Sequence, residues 1–348
     1  MPLSVLSGDN PIPSAKDKSV LCAPGQKQAN HPNGCLRIAL VNNMPDSALE
    51  DTEFQFFELL SAASEEIPIQ VALYSLPGVQ RSDRARQHLD QFYSSTTVLR
   101  NQRVDGVVIT GTEPLQSDLR NEPYWDSLSE LFNWAEENTL SAVLSCLAAH
   151  ASSLQSDGIR RHPIGNKRFG VFEHQVIAEH PLTHAVVNPV QISHSRWNEL
   201  RRGDLELGGY KILTESSRAG VDLFVKEKKK SLFVHFQGHP EYLAQTLHKE
   251  YRRDVKRYLR MERENYPLVP ESYFDPLSVN LLGDFRAMAE RERRESIMES
   301  FPEAQVVETL QHSWRPAAVR IYQNWLNYLT LRKAQDVEPF FMARVGQS

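Results

Sequence analysis

The sequence is poor in cysteine, in charge of one sign and in long apolar runs. Its 348 residues hold three cysteines, Cys22, Cys35 and Cys146, widely spaced and odd in number. This excludes a disulfide framework and the paired spacing of a zinc site, and it suits a reducing, cytoplasmic compartment. No run of about 18 apolar residues occurs, so no transmembrane helix is expected. The N-terminus lacks a charged stretch followed by an apolar core, so no signal peptide is expected. The formal net charge is −5. The basic run Lys228-Lys229-Lys230 follows Lys226 and Glu227 as a solvated turn would, so neither nucleic acid nor a membrane surface is indicated as a partner. What is present is an ordinary globular composition, 41% hydrophobic and 24% charged, with enough apolar mass for a sizeable core.

Residues 1–35 are rich in Pro, Ser, Asn, Gly and Lys without an apolar period and are expected to be a disordered tail. A single domain is expected over 36–348. It opens on a strand at 36–42, then a turn at Asn43-Met44-Pro45-Asp46, then a helix carrying Leu49, Phe56, Phe57 and Leu60. Ser47 and Glu50 have the spacing of a capping box for that helix. Strands follow at 69–74 and 104–109, a surface helix within 81–98, and a helix at 124–138 bearing Trp125, Leu128, Leu131, Phe132 and Trp134. The segment 165–235 holds short strands and ends on a strong one at 231–236. A long helix with Leu243, Leu247, Tyr251, Val255 and Leu259 on one seam comes next. Residues 275–312 are polar and charged and read as a solvated helical insertion. Apolar strands alternating with helices predict an α/β fold with a doubly wound, mainly parallel sheet, whose ligands bind beyond the strand C-termini.

Cys146 lies at such a place. Residues 140–144 read as a buried strand and 147–154 as a helix of small and apolar residues, with Cys146 at the joint. A sharp strand-to-helix turn pushes the joint side chain into a cleft. The helix N-terminus offers free N–H groups and a positive dipole end, which favour a thiolate and can bind an oxyanion. A buried structural thiol is the alternative unless a His and a carboxylate reach the same cleft. His239 and Glu241 supply them: they follow the 231–236 strand, two residues apart between Gly238 and Tyr242. In extended backbone such residues face one side. The set then contains a nucleophile, a base and a group that orients the base, the needs of acyl transfer through a covalent intermediate.

Beyond this trio the chain resembles the homoserine O-acyltransferases of methionine biosynthesis, of the succinyltransferase (transsuccinylase) type. The resemblance rests on Asn43-Met44-Pro45-Asp46, Thr52-Glu53-Phe54-Gln55, Ile109-Thr110-Gly111, Tyr124-Trp125, Lys167-Arg168-Phe169-Gly170-Val171-Phe172, His194-Ser195-Arg196, Gly238-His239-Pro240-Glu241-Tyr242, Thr246-Leu247, Glu250-Tyr251-Arg252-Arg253-Asp254 and Asn324-Trp325-Leu326-Asn327-Tyr328. It covers about 36–330, with the tail and the 275–312 insertion outside it. The resemblance implies a class I glutamine-amidotransferase-like (flavodoxin-like) fold. It also implies Cys146 as the acylated nucleophile, His239 as general base and Glu241 as its orienter. Lys167 and Ser195 would line the site, and Arg253 would hold the amino acid's carboxylate.

The implied substrates are an acyl-CoA and L-homoserine, reacting by a ping-pong mechanism, with no metal and no cofactor beyond the acyl-CoA substrate. A homodimer is expected. The chain departs from the family pattern in three places. Leu147-Ala148-Ala149-His150-Ala151 replaces Trp-Gly-Ala-Gln-Ala after the nucleophile, and Ser47 replaces a lysine. Thr112-Glu113-Pro114-Leu115-Gln116 replaces the usual Ala-Pro loop. In the family an acidic residue in that loop goes with acetyl and glycine with succinyl. Here Leu115 or Gln116 takes the position, and the absence of charge there favours succinyl-CoA. A glutamine amidotransferase, a related cysteine hydrolase, or an enzyme acylating another hydroxy amino acid would use the same trio.

Overall fold

The computed structural model describes residues 3–6, 21–22 and 35–345, with side chains described over 35–335. Its strands are β1 (Leu3–Leu6), β2 (Leu21–Cys22), β3 (Leu36–Val41), β4 (Ile69–Ser75), β5 (Ser94–Ser95), β6 (Gly106–Ile109), β7 (Ser141–Ser145), β8 (His162–Val176), β9 (Val190–Glu199), β10 (Lys211–Ile212), β11 (Thr214–Ser216), β12 (Gly220–Val221), β13 (Leu223–Lys228) and β14 (Ser231–Phe236). Its helices are α1 (Leu49–Ser64), α2 (Asp83–Phe92), α3 (Thr96–Leu99), α4 (Trp125–Asn138), α5 (Leu147–Asp157), α6 (Arg202–Leu207), α7 (Thr246–Leu259), α8 (Pro276–Arg291), α9 (Glu303–Glu308) and α10 (Arg315–Val345). The main sheet runs β10-β13-β14-β7-β6-β3-β4-β1-β2, with β5 paired to β4. From β14 through β2 the neighbours are parallel, and β13 and β10 close one edge antiparallel.

The strand sequences place helices on both faces. Leu36, Ile38 and Leu40 of β3 join a buried cluster with Phe56, Phe57 and Leu60 of α1 and Tyr322 and Trp325 of α10. The intervening Ala39 and Val41 face a second cluster with Leu131 and Phe132 of α4 and Ala148 of α5. The same alternation splits β7, with Val143 on the first face and Ala142 and Leu144 on the second. Apolar residues on both sides of these strands thus serve two layers at once, as in a doubly wound sheet. The C-termini of β3, β6, β7 and β14 consequently lie on one edge of the sheet.

A smaller antiparallel sheet, β12-β11-β8-β9, stands beside that edge. Its β8 extends over fifteen residues, longer than the short strands expected in the 165–235 segment.

Three expectations are revised. Leu3–Leu6 and Leu21–Cys22 extend the main sheet as β1 and β2, because the apolar Leu3-Ser4-Val5-Leu6 run pairs with the free edge of β4. The remainder of the expected tail lies outside the described residues. The capping box at Ser47 and Glu50 does not form: Ala48 is the N-cap of α1 and no side chain caps it. The 275–312 segment is helical as expected, yet not merely solvated. Leu282, Phe285, Ala289, Ile297, Phe301 and Val306 bury against Leu247, Tyr251, Val255 and Tyr258 of α7, and its charged residues form the outer face. Among the described residues no helix is long and apolar enough to cross a membrane.

Candidate active site

Cys146 stands between β7 and α5 with φ 49° and ψ −107°, a left-handed conformation that a non-glycine residue adopts only where its surroundings enforce it. They do so from both sides. The Cys146 amide donates to Phe236 O at 2.8 Å, and the His150 amide donates to Cys146 O at 3.2 Å, opening α5. The loop after β6 closes over the same helix start. A Cβ on Gly111 would come within 3.0 Å of Leu147 N and 2.9 Å of Leu147 Cβ, so glycine is what lets that loop approach the elbow. Cys146 is half-buried, and the first turn of α5 supplies N–H groups beside it.

His239 and Glu241 arrive from β14. The turn that carries them is fixed by backbone: His239 N donates to Ser193 O at 2.8 Å and Ser193 Oγ donates to His239 O at 2.5 Å. His239 Nδ1 pairs with Glu241 Oε1 at 2.8 Å, leaving Nε2 free to serve the sulfur of Cys146, whose charge acts on the imidazole. The pairing expected from i, i+2 spacing is present, but it forms across a turn, with Tyr242 N donating to His239 O, and not along an extended strand. Ser145 Oγ also donates to Glu241 Oε1, at 3.3 Å, so the residue before the nucleophile helps place the carboxylate. The Tyr242 ring stacks on the imidazole, 4.2 Å between centroids. Burial pushes the His239 pKa down, but the Glu241 carboxylate and then the Cys146 sulfur outweigh it and hold it well above the ordinary histidine range. The arrangement favours an imidazolium facing the Cys146 sulfur.

The other histidines near the nucleophile cannot take this role. His150 is buried, pairs with Gln237 Oε1 at 3.1 Å and is pushed down to about 3 by burial and the Arg196 charge. His194 stacks on His174 and is held well below the ordinary range, first by burial and then by Arg196. Both stay neutral and weakly basic.

A second group of side chains meets at Glu250 of α7. Its Oε2 accepts from Lys167 Nζ at 3.0 Å and from Ser195 Oγ at 2.5 Å, and its Oε1 accepts from Tyr242 Oη at 2.7 Å. Burial opposes the charge on Glu250, yet Lys167, Ser195 and Tyr242 hold its pKa below the ordinary carboxylate value. Through Tyr242 this cluster abuts His239. Arg253, one turn further on, has a side chain 51% exposed and donates from Nε and an NH2 nitrogen to Asp254 Oδ1 at 3.1 and 3.0 Å.

A cleft of about 590 Å³ lies between the turn after β3 and the loop after β6, lined among others by Ser47, Arg81, Glu113, Leu115, Glu122 and Tyr124. Leu115 is 64% exposed at its wall. Gln116 is exposed, does not line the cleft, and donates its backbone N–H to Glu122 Oε1 at 2.6 Å.

A model of the homoserine O-succinyltransferase family matches residues 11–335. The chain belongs to this family. The match takes in the 275–312 segment, which the sequence reading had set aside as an insertion, and part of the tail. Similar proteins include the homoserine O-succinyltransferase of Rhodopseudomonas palustris, 42% identical over 84% of this chain and 87% of that one. That of Bradyrhizobium japonicum is 39% identical over 93% and 98%. Among solved structures, a glutamine amidotransferase from Methylobacillus flagellatus matches with a TM-score of 0.47 and 13% identity, over 85% of this chain and 95% of that one.

For a family of acyltransferases, the residues singled out from the sequence are thus unevenly gathered. Cys146, His239 and Glu241 meet, and Lys167 and Ser195 meet on Glu250. Arg253 stands at their rim, and only Leu115 of the two loop positions faces the cleft. Sequence reasoning missed Glu250 as the hub, Tyr242 as the face of the imidazole, and Asp222. The Asp222 carboxylate accepts from Gly238 N at 2.5 Å and is pushed up to about 6, mainly by burial. Glu250 and Tyr242 both fall in stretches that carried the resemblance, but only their convergence on one hydroxyl-carboxylate bond gives them a role. Arg161 and Arg196 were also missed. Arg196 is buried and satisfied, donating to Ala219 O, to Asn198 O at 2.9 Å and to His194. Among the described residues no group of three or more His, Cys, Asp or Glu could hold a metal ion.

Proposed function

We propose that this chain transfers a succinyl group from succinyl-CoA to the hydroxyl of L-homoserine, a step of methionine biosynthesis, through a thioester on Cys146. The observation that carries the reading is the relay Glu241–His239–Cys146 at a strained elbow. The Cys146 thiolate adds to the thioester carbonyl, and the N–H groups at the start of α5 are placed to receive the oxyanion. The intermediate collapses as CoA leaves, and its sulfur takes the proton from His239. Cys146 is now a neutral thioester, so one of the charges that held the imidazole protonated is gone. Burial then favours the neutral ring, and His239 becomes a base. It removes the proton from the homoserine hydroxyl, whose oxygen attacks the acyl-enzyme. As the second tetrahedral intermediate collapses, Cys146 leaves as thiolate beside the renewed imidazolium. Atoms and charge balance over two half-reactions, and ping-pong kinetics follow.

Family membership and relatives about 40% identical support the acyl group and the acceptor. The rim position of Arg253 suits the acceptor's carboxylate, which a guanidinium fork can hold in a bidentate way. Acyl-CoA enters as substrate and no further cofactor takes part. The test is turnover of succinyl-CoA, acetyl-CoA and glutamine by the purified chain with homoserine present. O-Succinylhomoserine as the main product is expected; ammonia released from glutamine would point to an amidotransferase, and a clear preference for acetyl-CoA would reassign the donor.

A further inference from the structure

A base that serves in two half-reactions has to keep one orientation while its charge changes. His239 is tied at Nδ1 to Glu241 Oε1, 2.8 Å away. The Cβ–Cγ torsion of a histidine is soft, however, and one hydrogen bond does not fix the plane of the ring. Tyr242 supplies the missing constraint. Its phenol ring lies on the imidazole with 4.2 Å between centroids and 17° between planes. Tyr242 is buried and is itself held at each of its polar atoms. Its N–H donates to His239 O at 3.3 Å, and its carbonyl accepts from His312 Nε2 and Trp314 Nε1, both at 2.8 Å. Its hydroxyl donates to Glu250 Oε1 at 2.7 Å, and the other oxygen of Glu250 is taken by Lys167 and Ser195. These ties come from the residues ahead of α10, from α7 and, through Lys167 and Ser195, from β8 and β9. Tyr242 also borders the buried cluster of α7. A tyrosine that only filled that cluster would need one partner for its hydroxyl; here several elements converge on the residue that faces the base.

We propose that Tyr242 is a positioning residue for the base: its ring holds the His239 imidazole in plane and favours the imidazolium, and its hydroxyl locks that ring to Glu250. This rests on the acyl-transfer reading above and deepens it. The face of a phenol ring is electron-rich and attracts a cation that lies within about 6 Å of its centroid. The ring therefore supports the imidazolium that the first half-reaction needs. Its flat face still defines the plane of the imidazole after acylation, when the charge is gone. The other titratable groups coupled to His239 are Glu241 on its own turn, Cys146 after β7, His194 of β9 and Asp222 between β12 and β13. Among the described residues Tyr242 alone stacks on the imidazole.

The experiment follows kcat/KM for succinyl-CoA against pH in Tyr242→Leu and Tyr242→Phe. In a ping-pong reaction that ratio reports the first half-reaction alone, so any disturbance of homoserine binding does not enter. Tyr242→Leu is expected to lower it about 100-fold, as a displacement near 1 Å does. The alkaline limb, where His239 loses its proton, should also move down by about 0.5 to 1.5 in pH, the worth of a cation on an aromatic face. Tyr242→Phe keeps the ring and loses only its lock, so it should stay within about 10-fold of the unaltered protein, with the limb in place. Partial unfolding scales the rate at every pH and leaves the limb where it was. A slower Leu variant with an unmoved limb therefore overturns the proposal, and so does a Phe variant no better than Leu. If Tyr242→Leu fails to fold, fluorinated phenylalanines at position 242 decide, because fluorine drains the ring face while keeping its shape. The limb should step down as fluorines are added, and a limb indifferent to fluorine contradicts the proposal. Absence of acyl transfer from any acyl-CoA would sink the proposed activity but not this test. The rate at which iodoacetamide alkylates Cys146 also changes where the imidazolium loses its proton. That change should come at lower pH in Tyr242→Leu, and its staying in place overturns the positioning role.

Discussion

At the scale of single residues, the site turns on the charge of one imidazole. Burial alone would make His239 neutral; Glu241 and the Cys146 sulfur keep it protonated. The sign of the pH dependence follows. A raised pKa means that the imidazolium, and the stability it lends the fold, is fully present below the unfolded value and is lost as pH rises through the folded one. The first half-reaction needs that imidazolium, so kcat/KM for the acyl-CoA should fall on the alkaline side. In Glu241→Gln the larger of the two raising charges is gone, and the alkaline limb of the profile should move to lower pH. A limb that stays in place would mean that Glu241 does not govern His239. His239→Asn should lower kcat by about 10²- to 10⁴-fold, the range for a positioned acid-base group, and near-normal rates would require another base, a role that His150 and His194 are too weakly basic to fill. Arg253→Lys keeps the charge and loses the fork. The homoserine KM should rise about 10-fold with kcat little changed, and an unchanged KM would remove Arg253 from acceptor binding.

At the scale of elements, two glycines and a turn set the geometry. A Cβ on Gly238 would meet Ser193 O at 2.7 Å, Asp222 Oδ1 at 2.8 Å and Ile192 Cγ2 at 2.8 Å. Gly238→Ala should therefore shift the His239 turn and cost about 10²-fold in kcat, as displacements near 1 Å do, with far-UV circular dichroism unchanged. Leu247→Ala, in the buried seam of α7, should cost about 2–5 kcal/mol of stability in denaturant unfolding. It should also loosen Glu250, which the same helix holds. Much of this was legible in the sequence. Strands 69–74 and 231–236 and the helix at 124–138 fall within a residue of β4, β14 and α4, because apolar runs bounded by turns carry their own period. What was not legible depends on contacts distant in sequence. Ser47 and Glu50 look like a capping box, yet Asp46 is engaged by Arg81 and Ser82 and the helix starts one residue later. The charge of 275–312 hid its buried face, since Leu282, Phe285 and Ala289 are thinly spread among exposed residues. The partners of Lys167 are a property of side-chain placement that no local pattern encodes.

At the scale of the whole molecule, the parallel sheet brings the ends of β3, β6, β7 and β14 to one edge. The antiparallel sheet of β8 and β9 and the helix α7 then build the far wall: β8 contributes Lys167, β9 contributes Ser195 and α7 contributes Glu250 and Arg253. Nucleophile and base come from the ends of strands in the main sheet, buried between two apolar clusters, whereas the groups assigned to substrate come from the surrounding wall and loops. A homodimer is proposed for the protein in solution, and its mass there checks that directly. The central claim is a covalent one and has a direct test. The chain is mixed with succinyl-CoA in the absence of homoserine, quenched in acid and weighed intact, then digested to locate the label. One succinyl group on Cys146, removed when homoserine is added and absent from Cys146→Ser, is the predicted result. An unlabelled protein that nevertheless forms O-succinylhomoserine once homoserine is supplied, or a label on any residue other than Cys146, would contradict the account.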